Sequence, residues 1–363
     1  MLRYKEIKNM LIDLLQDYGN DEKLPSRLHL CKLFDTTRTT LDKAIGELRD
    51  EGLIYSFNGS GTFKTSLTGN EKLEVKTQVL NWGIIVSDIT CRIFYELVRG
   101  VQNRANAHDI NIIVCSSDED VKKQDEYVYR LIKSGVNGLI IVPVVSNPIN
   151  ESAKLYNQLL AANIPFVFCN RAVGGIAAPV IKSNDFYGGY IATKHLIEHG
   201  YRNIAYISRY KYSTSVERCQ GYMAALTESN IPINRKLIYI EGEEADIHVR
   251  SYNSMVKIFE SGQPIDAVFC FNDDCASGVI RAIEDNDLKI SDDIGIMSYD
   301  DTEMCEVHEP KITSVKHQSL AIGETAANVL WKMTQGIELN SFDIYLEQPE
   351  ITVRGSCLGK KKR

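Results

Sequence analysis

Polar residues in the later part of the chain recur at one kind of position. Arg171 follows "VFCN", Asn272 and Asp273 follow "AVFCF", and Asp300 and Asp301 follow "IGIMSY". Asp185 stands between an apolar run and a helix-like stretch beginning near Gly188, and Arg218 stands near the start of another. A guanidinium, an amide and several carboxylates supply both donors and acceptors. That mixture suits recognition of a polyhydroxylated ligand by hydrogen bonds, with Phe94 or Tyr187 able to stack on its C–H surface. Singly, each residue would cap a helix or sit on a solvated loop. Their shared place at the ends of apolar runs makes them one candidate site.

A second group lies near the start. Arg38, Thr39, Thr40 and Lys43 open a helix-like stretch, and "NGSG" (Asn58, Gly59, Ser60, Gly61) lies between two strand-like runs. Arginine has the reach and fork geometry for a base edge or a phosphate. Threonine hydroxyls and the free N–H groups of a first helical turn can donate to phosphates. Glycine and serine at a turn let the backbone approach a groove. Residues 1–68 hold ten Lys/Arg and ten Asp/Glu, so any DNA contact must come from a local face and not from overall charge. A helical cap used only for packing is the competing reading.

Other chemistries find little support. His195 and His199 in "HLIEH" are one turn apart but lack a third ligand nearby, so they read as a helix C-terminal pair and no metal is expected. No GxSxG, Walker or GxGxxG motif occurs. The pairs Asp273/Asp274 and Asp300/Asp301 have no accompanying nucleophile, so the expectation is a protein that is not an enzyme and has no cofactor. The nine cysteines form no CxxC pair and read as buried or incidental thiols of a reducing compartment. No run approaches the roughly 20 apolar residues that span a bilayer, and the start lacks the apolar core of a signal peptide. A cytoplasmic protein with no membrane partner is expected.

The elements that must position these residues follow from periodicity. Ile7, Met10, Leu11, Leu14 and Leu15 have helical spacing. Ser26 can cap a short second helix carrying Leu28, Leu30, Leu33 and Phe34. Thr37 or Thr39 can cap a third, with Leu41, Ala44, Ile45 and Leu48 on its buried side and Gly52 as its stop. "LIYSF" and "GTFKTS" then form a hairpin. Helix, helix, helix, hairpin is the layout of a winged helix-turn-helix, whose third helix would enter a major groove N-terminus first.

Residues 67–78 are polar and read as a linker, after which short apolar strands alternate with helices. The pattern begins with "VLNWGIIVS" and "INIIVCSS" and restarts at "RNIAYIS". This predicts an α/β body with parallel sheets in two successive lobes, and a ligand cleft at the strand C-termini. The expected domains are a winged helix-turn-helix at 1–68, a linker at 69–79 and a two-lobed effector-binding and dimerisation body at 80–363.

The first domain resembles the GntR type of bacterial winged-helix regulator. The likeness rests on Leu24-Pro25-Ser26, Thr37-Arg38, Ala44 through Leu48 to Gly52-Leu53, and Gly59-Ser60-Gly61-Thr62-Phe63. It implies that Ser26, Arg27, Thr37, Arg38, Thr39, Thr40, Lys43, Asn58, Gly59, Ser60 and Gly61 face DNA. Two positions depart from the pattern: Arg27-Leu28 stands where Glu-Arg is usual, and Asp42 where an arginine is usual. Asp42 could brace Arg38 one turn away or accept from a cytosine amine.

The body resembles the LacI/GalR type of effector-binding domain, itself similar to periplasmic sugar-binding proteins. The likeness is carried by "FYELVRG", "ND-x-x-GG-x-x-A-x-x-HLIEHGYRNIAYI", "ERCQGY", "AVFCFNDDCASGVIRAI", "DIGIMSYDD", "ITSV" and "VRGS". It implies effector contacts from Arg218, Asn272 and Asp300, with Phe94 and Asp185 on pocket loops; Arg171 and Asp273 join them by position. A GntR-type head on a LacI/GalR-type body is the arrangement of bacterial arabinose repressors, and "AAPVIKSNDFYGG" and "SDITCRIFYELVRG" look similar to theirs. The combination implies a homodimeric repressor of carbohydrate-use genes. Its partners would be double-stranded operator DNA and a monosaccharide effector, L-arabinose first. A regulator answering to another sugar or a nucleoside, and a sugar-binding protein whose winged helix contacts proteins, remain the alternatives.

Overall fold

Ile7, Leu11 and Leu15 recur every four residues, and they are the buried stripe of the first helix, α1 (Arg3–Leu15). The computed structural model describes residues 3–57, 60–65, 80–144, 150–208, 212–240 and 246–359, and the chain divides into two units, Met1–Gln78 and Val79–Arg363. In the first, α1 is followed by α2 (Arg27–Leu33), α3 (Arg38–Asp50) and an antiparallel hairpin of β1 (Ile54–Phe57) and β2 (Gly61–Lys64). Ser26 Oγ accepts from His29 N at 3.3 Å to cap α2, and Thr37 Oγ1 accepts from Thr40 N at 3.4 Å to cap α3. Leu41, Ala44, Ile45 and Leu48 of α3 close a core with Leu24, Leu30, Phe34 and Ile54. Of the leucines on α2, Leu30 is buried, while Leu28 and Leu33 are exposed. The expected linker at 69–79 lies outside the described residues.

The second unit begins with β3 (Asn81–Val86), α4 (Arg92–Asn106), β4 (Asn111–Ser116), α5 (Val121–Lys133), β5 (Gly138–Ile141), α6 (Asn150–Ala161), β6 (Phe166–Cys169) and β7 (Val180–Ser183). It continues with α7 (Asp185–Glu198), β8 (Ile204–Ile207), α8 (Ser213–Glu228), β9 (Ile238–Tyr239), α9 (Ile247–Glu260), β10 (Ala267–Cys270), α10 (Asp273–Glu284), β11 (Gly295–Asp300) and α11 (Met304–Val307). The last elements are β12 (Thr313–Lys316), α12 (Ser319–Thr334), β13 (Ile344–Glu347) and β14 (Glu350–Thr352).

The strands form two sheets, ordered β13-β7-β6-β5-β3-β4 and β14-β12-β11-β10-β8-β9. All neighbours are parallel except β14, which runs antiparallel to β12. Fully buried runs such as Ala267–Cys270 and Gly138–Ile141 are what a parallel sheet covered on both faces requires.

The lobes are not simply successive, as the sequence suggests. The chain leaves the first sheet after β7, returns after β12 so that α12 packs on α4, β5, β6 and β7, adds β13 there, and crosses again into β14. β12 escapes a search for apolar runs because Thr313 and Ser314 are buried hydroxyl residues. Ser356 Oγ receives Thr313 N at 2.8 Å, and Ser314 Oγ donates to Asp273 Oδ1 at 3.1 Å.

Close helix pairing sets the geometry of both lobes. A Cβ on Gly189 of α7 would fall 2.1 Å from Arg218 O on α8, and one on Gly221 would fall 2.0 Å from Phe186 O. In the other lobe, a Cβ on Gly100 would meet Leu320 O at 2.1 Å, and one on Gly323 would meet Leu97 O at 2.0 Å. Backbones this close bring a first-turn residue of α7, Asp185, within reach of Arg218 on α8.

Candidate functional site

A cavity of about 250 Å3 opens where the strand C-termini of both lobes face each other. Phe94, Arg171, Arg218, Asn272, Asp273 and Asp300 all line it. Asp185 does not. It lies behind Arg218, whose Nε donates to Asp185 Oδ1 at 2.8 Å.

Arg218 is the centre of the arrangement. Its Nη1 donates to Phe271 O at 2.5 Å, its Nη2 is 3.6 Å from Asp300 Oδ1, and its guanidinium carbon lies 3.4 Å from the Tyr299 ring centroid. Burial works against its charge, but Asp185, Tyr299 and Asp300 outweigh burial and raise its pKa above the ordinary value. A buried guanidinium held on three sides is a fixed donor with little freedom left to lose on binding.

Asp300 supplies the complementary acceptor. Burial pushes its carboxyl up to about 7; Arg218 opposes the rise, and Asp273, Asp274 and Asp185 add to it. Its Oδ1 has no hydrogen-bond partner among the described residues, and its backbone sits at φ 95°, a left-handed conformation unusual for a non-glycine residue. With the Arg218 charge 3.6 Å away and no hydrogen bond of its own among the described residues, this enclosed oxygen has capacity left to accept from a further donor.

Asn272 caps α10 by accepting from Cys275 N at 2.9 Å, and its Nδ2 donates to Asp274 Oδ2 at 3.4 Å. Asp273 has a different role. It accepts from Ser298 Oγ at 2.5 Å, Thr302 N at 2.7 Å, Thr302 Oγ1 at 2.8 Å and Ser314 Oγ at 3.1 Å. Those donors tie the end of β10 to β11 and β12 and occupy its lone pairs. Asp301 is likewise engaged, with Arg354 Nη1 at 2.7 Å and Thr352 Oγ1 at 2.8 Å.

Arg171 stacks on Tyr212, with its guanidinium carbon 3.9 Å from the ring centroid, and pairs with Glu119 at 3.2 Å. Tyr212 donates its hydroxyl to Glu119 Oε2 at 2.9 Å, linking the two lobes across the cavity. Phe94 is buried and forms an apolar wall. Tyr187, the alternative stacking residue, is not a cavity residue; it is exposed and stacks on Tyr190 with centroids 6.5 Å apart.

Asn170 and His317 also line the cavity, two residues that sequence reasoning misses. Asn170 Oδ1 is buried with no partner among the described residues, on a backbone at φ 61°. His317 is held by Ser319 Oγ at 2.7 Å from Nδ1 and stays neutral, its pKa pushed down to about 3 by burial first and Arg218 second. A signal for Asn170 exists, since it directly precedes Arg171 after the same strand. His317 follows β12, the strand that hydroxyl residues disguise.

The N-terminal unit presents a second surface. Ser26, Arg27, Thr37, Arg38, Thr39, Lys43 and Ser60 are exposed, and Thr40 and Gly61 are half-buried. Lys43 Nζ sits 4.2 Å from the centroid of the Tyr4 ring. Gly61 has φ 124°, and a Cβ there would fall 2.6 Å from Lys23 Cε, so the wing needs glycine at this position. Asn58 and Gly59 lie outside the described residues.

Among the described residues no group of three or more His, Cys, Asp or Glu is placed to hold a metal ion. His195 and His199 stack with centroids 4.1 Å apart, and His199 Nδ1 lies 2.8 Å from His195 O. No helix among the described residues is long and apolar enough to cross a membrane.

A winged helix-turn-helix joined to a two-lobed body with a central polar cavity defines a class: a DNA-binding regulator with a small-molecule effector domain. Residues 3–63 match the gntR family of bacterial regulatory proteins, and residues 193–357 match the periplasmic binding protein-like domain. The chain is 28% identical over 338 residues to the arabinose metabolism transcriptional repressor of Geobacillus stearothermophilus, covering 93% of this chain and 92% of that protein. It is 31% identical over 284 residues to the HTH-type transcriptional repressor PurR of Histophilus somni (strain 2336), covering 76% and 80%. A LacI family transcriptional regulator from Enterococcus faecium, solved with bound ribose, aligns with a TM-score of 0.63 at 26% identity over 76% of this chain and 98% of that one. The chain belongs to this family of HTH-type transcriptional repressors, with a GntR-type head on a LacI-like body.

Proposed function

We propose that the chain represses carbohydrate-use genes by binding an operator and is released by a small sugar, L-arabinose first. The observation that carries this reading is the cavity's inventory: the fixed donor Arg218, the amide of Asn272 and the Asp300 oxygen that accepts no hydrogen bond among the described residues, beside the Phe94 wall. Hydroxyl groups that both donate and accept satisfy such a set, while a ring's C–H face suits the phenylalanine. At about 250 Å3 the cavity lies below the range of about 300–1,000 Å3 usual for drug-sized ligands and fits a single sugar ring. The arabinose-linked name of the Geobacillus relative and the ribose in the Enterococcus structure support a monosaccharide.

In this reading residues 1–68 read DNA, 69–79 link, and 80–363 bind effector and dimerise, without catalysis, in the cytoplasm. Arg171, Arg218, Asn272 and Asp300 touch the sugar, while Asp185 and Asp273 hold those groups in place. A homodimer presents two heads to a pseudo-palindromic operator. Sugar closes the lobes, the dimer rearranges, and operator affinity falls; by linkage, DNA weakens sugar binding by the same factor. Isothermal titration against pentoses, hexoses and nucleosides tests the effector. Heat from arabinose supports the reading. Binding of a nucleoside in its place replaces the sugar, and silence from every sugar and nucleoside contradicts the reading.

A further inference from the structure

Asp42 lies one turn into α3, whose opening residues Arg38, Thr39 and Thr40 are the proposed DNA readers, so any role for it at DNA rests on that reading of the head. Its carboxylate stands between guanidiniums from two helices. Oδ1 is 3.0 Å from Nε of Arg27 in the first turn of α2, and Oδ2 is 3.8 Å from Nε of Arg38. Oδ1 is enclosed with no aligned hydrogen bond among the described residues, so charge holds it to Arg27. The arginines stay open to solvent, with 44% of the Arg27 side chain and 78% of the Arg38 side chain exposed.

So exposed a cluster adds little to stability. Its effect is on direction and charge: the carboxylate aims both guanidiniums and cancels half of their combined positive charge. Phosphates attract any free cation whatever the sequence, and a carboxylate beside the cations repels them. A base edge repays a guanidinium only if its acceptors lie where that guanidinium points. The geometry points to Asp42 as a specificity-determining residue, which fixes Arg27 and Arg38 and weakens their hold on phosphate, so that affinity for any duplex is exchanged for discrimination of the right one. This is the repulsive element that a selective interface needs alongside its attractive ones. It also favours bracing over a cytosine contact, because the enclosed Oδ1 is turned to Arg27.

The test begins with selection of a binding site from random duplexes by the full-length chain. Affinities of wild type, Asp42→Asn and Asp42→Glu are then measured for the selected and a scrambled duplex across a salt series. Asp42→Asn is expected to bind the scrambled duplex more tightly and to steepen the slope of log K against log salt by about 0.9, one further phosphate contact. Its preference for the selected site should fall about tenfold. Asp42→Glu should keep most of the preference. An Asn variant with unchanged slope and preference overturns the proposal, as does one that loses both duplexes equally, since that marks a role in folding alone. A wild-type chain that selects no sequence removes the reading of the head itself, and the role of Asp42 with it.

Discussion

Arginine meets aspartate beside the cavity and again on the head, and the two settings are opposites. In the body, Arg218 and Asp185 are 2.8 Å apart with 5% and 2% of their side chains exposed. In the head, Arg27, Asp42 and Arg38 are 3.0 and 3.8 Å apart, and each is at least 40% exposed. The buried pair cannot be opened cheaply, because either charge left alone in the interior is costly. In the proposed function it is a rigid donor for a small neutral ligand. The exposed cluster adds little to stability and acts, in the proposed reading, through the direction that Asp42 gives its arginines. In the proposed function one site recognises by being fixed before the ligand arrives, and the other by what its cations point at.

The largest effect is expected from Arg218→Met. It leaves Asp185 buried without its cation, so the body should lose about 3–5 kcal/mol of stability, and effector heat should vanish in titration. The separate core of the head predicts that DNA binding by any folded variant persists. A variant as stable as wild type would show that the buried charge of Asp185 is not costly to leave without its cation.

The Asp300 carboxyl sharpens the same contrast through pH. Its pKa in the folded protein, about 7, lies above the ordinary 3.8. The native state thus holds this proton more tightly than the unfolded chain. The stability it contributes is complete below about pH 3.8 and is lost as pH rises towards about 7. Thermal melts across that window should show wild type losing stability relative to Asp300→Asn as pH rises. A flat difference would remove the raised pKa.

On the exposed side, Arg38→Ala should cost about 1–3 kcal/mol of operator affinity and leave effector heat unchanged. An unaltered band in a DNA shift assay contradicts the placement of α3 in the groove. The smallest effect is expected from Tyr212→Phe. It deletes the hydroxyl that joins Glu119 across the lobes but spares the pairing of Glu119 with Arg171. About 1 kcal/mol of stability should be lost, read from denaturant unfolding.

The sequence announces the head almost completely, because its caps, its buried stripe on α3 and its glycine-dependent wing are local signals. It also places the cavity at strand ends, where Arg171, Arg218, Asn272 and Asp300 gather. What it conceals depends on contacts between distant segments. Asp185 and Asp273 look like ligand groups by position. Their roles appear only when Arg218 arrives from another helix and Ser298, Thr302 and Ser314 arrive from two other strands and the loop between them. β12 stays hidden because its hydroxyl side chains are buried by bonding that no local pattern encodes. The return of α12 to the first lobe is a matter of topology, which apolar periodicity does not report. Asp42, a departure from the family pattern, gains its meaning only when Arg27 is seen beside it.

In the proposed function a sugar in the cavity and DNA on the head oppose each other. Fluorescence anisotropy of a labelled operator duplex, titrated with L-arabinose in the presence of the full-length protein, tests it directly. Release of the duplex by wild type, together with retention by any folded Arg218→Met protein at the same sugar concentrations, is the predicted result. A duplex that stays bound, or binds more tightly, while the sugar demonstrably occupies the wild-type protein would contradict it.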